Sequence, residues 1–343
     1  MTTSTLDIWP IVKAMNKNLP EAEKHQLLSH LHTMIDNWNQ QSSGRERVPS
    51  WRGEFTNENI DCLLKEVVKD DKMKVIDFLI ANEYEDEPDL DQHRKPILRR
   101  RTAVHVAANL KLMPQVYRLF EIYNKFHVNY EDDNGLTHFH AACMCGRLDV
   151  VKEFLNFQDP NSRPQGHTYP DPVLSLAVRH KRIKVIELLL KKGAEPNLAN
   201  VEGWTPLHFI CQDYDNDMGT LGRFFKICEL RGKPVNVNAQ TESGWTPLHV
   251  SMEHGNVALV EFLLDKGANP NAADLNGTTP LHVVCCKEYE EPDLLQRFFN
   301  WCEENGRMVD VNAVNVEGKT PLQWCKEHGH SRMAQLLRRK FAV

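Results

Sequence analysis

The stretch GWTPLHVSMEHGNVALVEFLLDKGANPNAADLNGTTPLH, residues 244–282, closes on the motif with which it opens. Gly244 stands two residues ahead of Thr246, where a tight turn suits a residue that tolerates positive φ. Thr246 is a good N-cap, and Pro247 fits the first helical turn because its missing N–H would have no intrahelical partner there. This pattern predicts a helix of seven or eight residues that starts at Thr246 and stops at Gly255. LVEFLL at 259–264 supplies a second apolar helix that ends by Gly267. An extended loop, NPNAADLNG, then leads to Thr279 and the start of the next unit.

Outward from this unit, TPLH recurs at Thr205, Thr246 and Thr279, and TPLQ opens at Thr320. Looser forms are TAVH at Thr102, THFH at Thr137 and PVLS at Pro172. The spacings are 35, 35, 33, 41, 33 and 41 residues, so short and long units alternate with a 74-residue super-period. A period in this range marks a stack of small helical units, none of which buries its apolar face alone. Overlaying the long units puts Cys211 over Cys285, Phe224 and Phe225 over Phe298 and Phe299, and Cys228 over Cys302. The 41-residue units are expected to add about three residues between their helices and about five after the second.

These residues resemble the ankyrin repeat, with D-x-x-G-x-T-P-L-H at the start, Gly between the helices, V-x-x-L-L in the second helix and G-A-x-P-N-A after it. The resemblance implies an all-α solenoid of helix-turn-helix units joined by extended, hairpin-like loops over residues 102–343. A degenerate capping unit is expected at 59–82, where CLLKEVVKDDKMKVIDFLI (62–80) keeps the helix pair but lacks TPLH. Repeat three carries PNSRPQGHTYP ahead of DPVLS, which predicts an irregular loop. The segment 1–58 contains an amphipathic helix, with Asn18 and Glu21 as a capping box and Leu27, Leu28, Leu31, Ile35 and Trp38 on one face. Between cap and repeats, EYEDEPDLDQHRKPILRRR (83–101) turns from acidic to basic within one long loop.

The chain has 41 basic and 47 acidic residues, a balance that gives no general pull toward nucleic acid or anionic membrane. Its opening, MTTSTLDIWPIVKAM, lacks the basic region of a secretory signal, and no apolar run approaches a membrane span. Nine cysteines without a signal point to free thiols, hence to the cytosol or nucleus.

Several clusters imitate chemical sites. His208 lies three residues before Cys211, but the same His recurs at 105, 140, 249 and 282, while the Cys position also holds Ala108 and Met252. This tolerance predicts a structural His and a small apolar slot. Asp213, Asp215 and Asp217 imitate a calcium loop, yet Met218 and Phe224 stand where Gly and Glu are needed. His140, Cys143 and Cys145, and Cys325, His328 and His330, fall on ordinary repeat positions, where residues two apart on a helix diverge. No catalytic set, cofactor or metal is expected.

In ankyrin proteins the residues around the loop Gly and the end of the first helix line a concave groove. Carried over, the resemblance implies a groove of Val201, Glu202, Trp204, Gln212, Asp213, Glu242, Ser243, Trp245, Glu253, His254, Leu275, Asn276, Thr278, Cys286 and Lys287. Trp204 and Trp245 are expected to be exposed along one surface, the residue type most enriched at binding hot spots. The expected function is a monomeric, non-enzymatic scaffold that binds a protein partner carrying Lys or Arg, without nucleic acid or membrane insertion. An alternative is a substrate-recruiting adaptor, as in a ubiquitin ligase, with its recruiting element in residues 1–58.

Overall fold

Wherever the sequence places Thr three residues ahead of His, the backbone turns from extended to helical, and this event builds the molecule. The computed structural model describes residues 8–15, 19–41, 56–163, 171–212 and 218–341. It falls into two compact units, 1–169 and 170–343.

The first unit holds α1 (Trp9–Met15), α2 (Glu21–Gln41), α3 (Asn57–Lys69), α4 (Met73–Ala81), α5 (Ala103–Asn109), α6 (Met113–Leu119), α7 (His138–Cys145) and α8 (Leu148–Phe154). First helices of successive pairs pack together, α1 on α3, α3 on α5 and α5 on α7, while α2, α4 and α6 form a second row. Leu28, Leu31 and Ile35 of α2 are buried, as the apolar stripe predicts, whereas Asn18 of the expected capping box lies outside the described residues. Ile11, Val12 and Met15 of α1 are buried as well, so the N-terminal segment is itself a helix pair that extends the stack.

The second unit holds α9 (Val173–Arg179), α10 (Ile183–Lys191), α11 (Pro206–Gln212), α12 (Met218–Leu230), α13 (Pro247–Glu253), α14 (Val257–Asp265), α15 (Pro280–Cys285), α16 (Pro292–Glu304), α17 (Pro321–Glu327) and α18 (Ser331–Phe341). Here α9, α11, α13, α15 and α17 form one packed row, and α10 with α12, and α14 with α16 and α18, pack in the other. In repeat three Pro172 precedes α9 with no side-chain cap, and most of the preceding loop, 164–170, is outside the described residues. Among the described residues the only β-structure is isolated bridges.

The long repeats differ from expectation in one respect. α12 and α16 have 13 residues where α10 and α14 have 9, so about one helical turn of the insertion lengthens the second helix and less of it enters the following loop. The physical reason is in LLQRFFNWCEE: its buried Leu294, Leu295, Phe298, Phe299 and Cys302 keep helical spacing through the added turn.

Candidate functional site

Apart from repeat three, each repeat begins with a Thr–His or Thr–Gln cap that fixes the loop above it. At Thr246, the backbone N–H donates to Nδ1 of His249 at 3.0 Å, and Thr246 Oγ1 contacts the same nitrogen at 2.8 Å. The His249 N–H returns a bond to Thr246 Oγ1, and its Nε2 reaches the carbonyl of Thr278, one repeat on, at 3.0 Å. His208 makes the same bridge to the Trp245 carbonyl at 3.1 Å, and His282 to that of Lys319 at 3.2 Å. Since Nδ1 must accept and Nε2 must donate, the ring is held neutral in one tautomer. Burial pushes the His208 pKa down to about 4 and that of His249 and His282 below the usual range. Gln323 repeats the first half of the device, its Oε1 accepting from the Thr320 N–H at 2.7 Å.

The loops that this cap anchors are narrow hairpins. In successive loops Asn200, Thr241, Asp274 and Asn315 donate N–H to the carbonyls of Trp204, Trp245, Thr278 and Lys319. Side-chain oxygens brace the turns from inside: Asp274 Oδ1 accepts from the N–H groups of Asn276 and Thr278 at 2.8 and 2.7 Å. Neighbouring tips are joined by Glu242 N–H to Glu202 O, Leu275 N–H to Ser243 O and Val316 N–H to Asn276 O, at 2.9, 3.1 and 2.8 Å. Gly244, at φ +88°, sits so close to the next loop that a Cβ there would lie 2.7 Å from the Leu275 nitrogen.

This ladder presents a row of side chains to solvent. Val201, Leu275 and Val316 occupy the same position of three loops and are 56%, 74% and 71% exposed. Glu242, also exposed, holds the same position in the intervening loop. Glu202, Ser243, Asn276 and Glu317 are exposed beside this row, and Gln212 at the end of α11 is exposed too. Asp213 and the rest of the acidic run 213–217 lie outside the described residues. Glu253, His254, Thr278 and Cys286 are half-buried.

Two expectations change. Trp204 and Trp245 are half-buried rather than free: Trp204 lies against His208 and Phe209, ring centres 5.7 and 5.3 Å away, and Trp245 stacks on His249 at 6.0 Å and 29°. Lys287, expected on the groove, is only 7% exposed, with its ammonium 2.9 Å from Glu291 and 4.7 Å from the Tyr289 ring centre. The Glu291 carboxylate, in the same inter-helix loop, holds the amine inside the repeat. Val316 and Trp324, which repeat-by-repeat transfer did not reach, line a cleft of about 240 Å³ together with Asn276, Thr278, Cys286 and Glu317. Beside it, Lys319 Nζ lies 4.2 Å from the Trp324 ring centre and 2.7 Å from Glu327. The signal for Val316 was present, since it follows Asn315 as Val201 follows Asn200.

The His208–Cys211 and Cys325–His328–His330 clusters are engaged elsewhere. Both His208 nitrogens serve the cap and the bridge, and burial raises the Cys211 thiol to about 12, which keeps it protonated. His330 is buried and its Nε2 reaches the Lys287 carbonyl at 2.8 Å, while His328 Nδ1 reaches the Trp324 carbonyl at 3.0 Å. All nine cysteines are free thiols.

A family model described as ankyrin repeats matches residues 64–164, 174–274 and 217–296. The chain belongs to the ankyrin repeat family. Human transient receptor potential cation channel subfamily A member 1 is 25% identical over 207 residues, 60% of this chain and 18% of the channel. The probable 26S proteasome regulatory subunit p28 of Saccharomyces cerevisiae is 33% identical over 145 residues, 40% of this chain and 58% of that protein. Mouse NF-kappa-B inhibitor alpha is 31% identical over 124 residues, 36% of each chain. The matched stretches thus span less than two thirds of each of these relatives. Ankyrin repeats are interaction modules for other proteins, and no described helix is long and apolar enough to cross a membrane.

Proposed function

We propose that this ankyrin repeat protein is a non-enzymatic binding scaffold whose partner, another protein, docks on the loop-tip face of the 170–343 unit, the side corresponding to the family's concave groove. The observation that carries the reading is the row of Val201, Leu275 and Val316, all more than half exposed, on tips held in register by a backbone ladder. Isolated exposed aliphatics need no explanation, but an aligned series on a preorganised edge offers apolar area at little ordering cost. Glu202, Glu242 and Glu317 beside them favour a partner that combines apolar with Lys or Arg side chains. The indoles of Trp204 and Trp245 contribute their free edges and stiffen the floor beneath.

The test is affinity capture with the triple variant Val201→Asp, Leu275→Asp, Val316→Asp beside Leu230→Asp. Leu230, 77% exposed at the end of α12, serves as an equally apolar control away from the tips. The partner kept by the wild type should also be kept by the control and lost by the triple variant. Retention by the triple variant, with helical circular dichroism unchanged, moves the binding surface elsewhere.

A further inference from the structure

The last four repeats differ at one position, the residue between the loop Gly and the cap Thr, which is Trp204, Trp245, Thr278 and Lys319 in turn. The two indoles cover their own caps: Trp204 lies on His208 and Phe209, and Trp245 stacks on His249. Thr278 is held by the same backbone bonds. Its N–H donates to Asp274 Oδ1 at 2.7 Å and its carbonyl accepts from His249 Nε2 at 3.0 Å. Trp245 bonds in the same way to Thr241 Oγ1 at 3.0 Å and His208 Nε2 at 3.1 Å. Thr278 brings no ring to this place, and the cleft of about 240 Å³ opens there, with the buried His282 in its wall.

The far wall belongs to the next repeat, where Asn315, Val316 and Glu317 of the loop stand beside Trp324 of α17. The loops are slightly wider apart at this step. A Cβ on Gly203 or Gly244 would meet the following loop at 2.7 Å, and one on Gly277 at 3.2 Å. Lys319, next to the cleft, is already engaged: its ammonium lies 4.2 Å from the Trp324 ring centre, 2.7 Å from Glu327 and 3.4 Å from Glu317. A second cation entering beside it would meet a like charge, whereas a neutral ring would not. The volume falls short of the roughly 300 Å³ at which pockets for whole small molecules begin, and suits a single side chain.

We propose that this cleft is an anchor subsite for one neutral aromatic side chain, tryptophan or tyrosine, of the protein partner. The proposal rests on the reading that the loop-tip face binds a protein, and it names the group that enters deepest. The chain itself shows what the position accepts, since an indole covers the equivalent histidine in each of the two preceding repeats. An entering ring would lie between His282 and Trp324, where offset or edge contacts between rings are favourable. Thr278 and Asn276, which also line the cleft, offer polar groups to an indole N–H or a phenol hydroxyl. An aromatic group enclosed in a pocket is the kind of contact that dominates binding energy.

The experiment has two arms. In the first, N-acetyltryptophanamide, N-acetyltyrosinamide, N-acetylleucinamide and N-acetylargininamide are each titrated into the methyl-labelled full chain and followed by NMR. The two aromatic amides should shift the methyl signals of Thr278 and Val316 and leave that of Val201 in place. Thr278→Trp, which restores the indole of the preceding repeats and keeps the backbone bonds, should abolish the shifts with circular dichroism unchanged. The proposal is overturned if the leucine or arginine amide binds as well, if no aromatic amide moves these signals, or if a folded Thr278→Trp chain still responds. The ranking on the wild type needs no variant and decides the matter alone if Thr278→Trp does not fold. In the second arm, Thr278→Trp should weaken capture of the partner by about tenfold or more. Val201→Asp with Leu275→Asp, outside the cleft, tests the face itself. Loss of capture by that pair but not by Thr278→Trp keeps the loop-tip face and overturns the anchor; retention by both overturns the two together.

Discussion

Replacing His208 by glutamine isolates what a buried, neutral histidine does to the stability of a repeat. In the folded chain Nδ1 of His208 accepts the Thr205 N–H at 3.1 Å while Nε2 faces the Trp245 carbonyl, so a second ring proton would point at a donor. Its folded pKa of about 4 lies below the ordinary 6.5. The unfolded chain therefore takes up the proton first as pH falls, and the stability present above pH 6.5 is lost progressively until it levels below pH 4. At about 1.4 kcal/mol per pH unit of difference, the loss between pH 7 and pH 5 is about 2 kcal/mol from this one ring. Glutamine keeps the cap, as Gln323 does at Thr320, and removes the titration. Urea unfolding followed by circular dichroism at pH 7, 6 and 5 should show His208→Gln less stable at pH 7, by roughly 1–2 kcal/mol for the weakened bridge to Trp245. Toward pH 5 the gap should close or reverse, because only the wild type continues to lose stability at this site. Carboxylates that titrate in the same range do so in both proteins and cancel in the comparison. Two parallel stability curves would mean that the ring is not held neutral, and the account of the cap and bridge would fall with it.

Two further substitutions, with one control, probe the parts that hold the fold in place. Gly244→Ala puts a Cβ 2.7 Å from the Leu275 nitrogen at φ +88° and should cost about 2–4 kcal/mol in thermal melts. Gly232→Ala, at φ +66° with nothing within 4 Å, should cost only about 1 kcal/mol. Arg100→Met leaves Asp61 and Asp86 buried without their cation and should destabilise by about 3–5 kcal/mol at pH 7. Burial already pushes the Asp86 carboxyl up, so protonation should relieve the variant and narrow its deficit in melts at pH 5. A deficit that widens there would deny that the stranded carboxylates are its cause.

What could be read from the chain and what could not divide along a physical line. A turn, a cap and a helix start are local events, so Gly244, Thr246 and His249 announce the repeat within six residues and the structure repeats the same bonds at Thr205 and Thr279. Helix α1, by contrast, has only seven residues, too few for its apolar spacing to stand out, and its burial depends on α3, more than forty residues on. Lys287 shows the same limit at a single side chain: position within the repeat places it on the groove, but Glu291, four residues further along the inter-helix loop, draws its amine inward. The loop 83–101 is the most instructive case, because its acidic and basic halves invite the inference that they neutralise one another. Asp86 and Arg100 do so directly, and the guanidinium is shared with Asp61, a residue on another element. Glu85, Glu87, Asp89 and Asp91 bond to asparagine, lysine or backbone partners yet stay exposed, as do Arg94, Lys95, Arg99 and Arg101. Opposite charges close in sequence therefore need not pair with one another: a long-range partner, here Asp61, decides which of them is drawn into the interior.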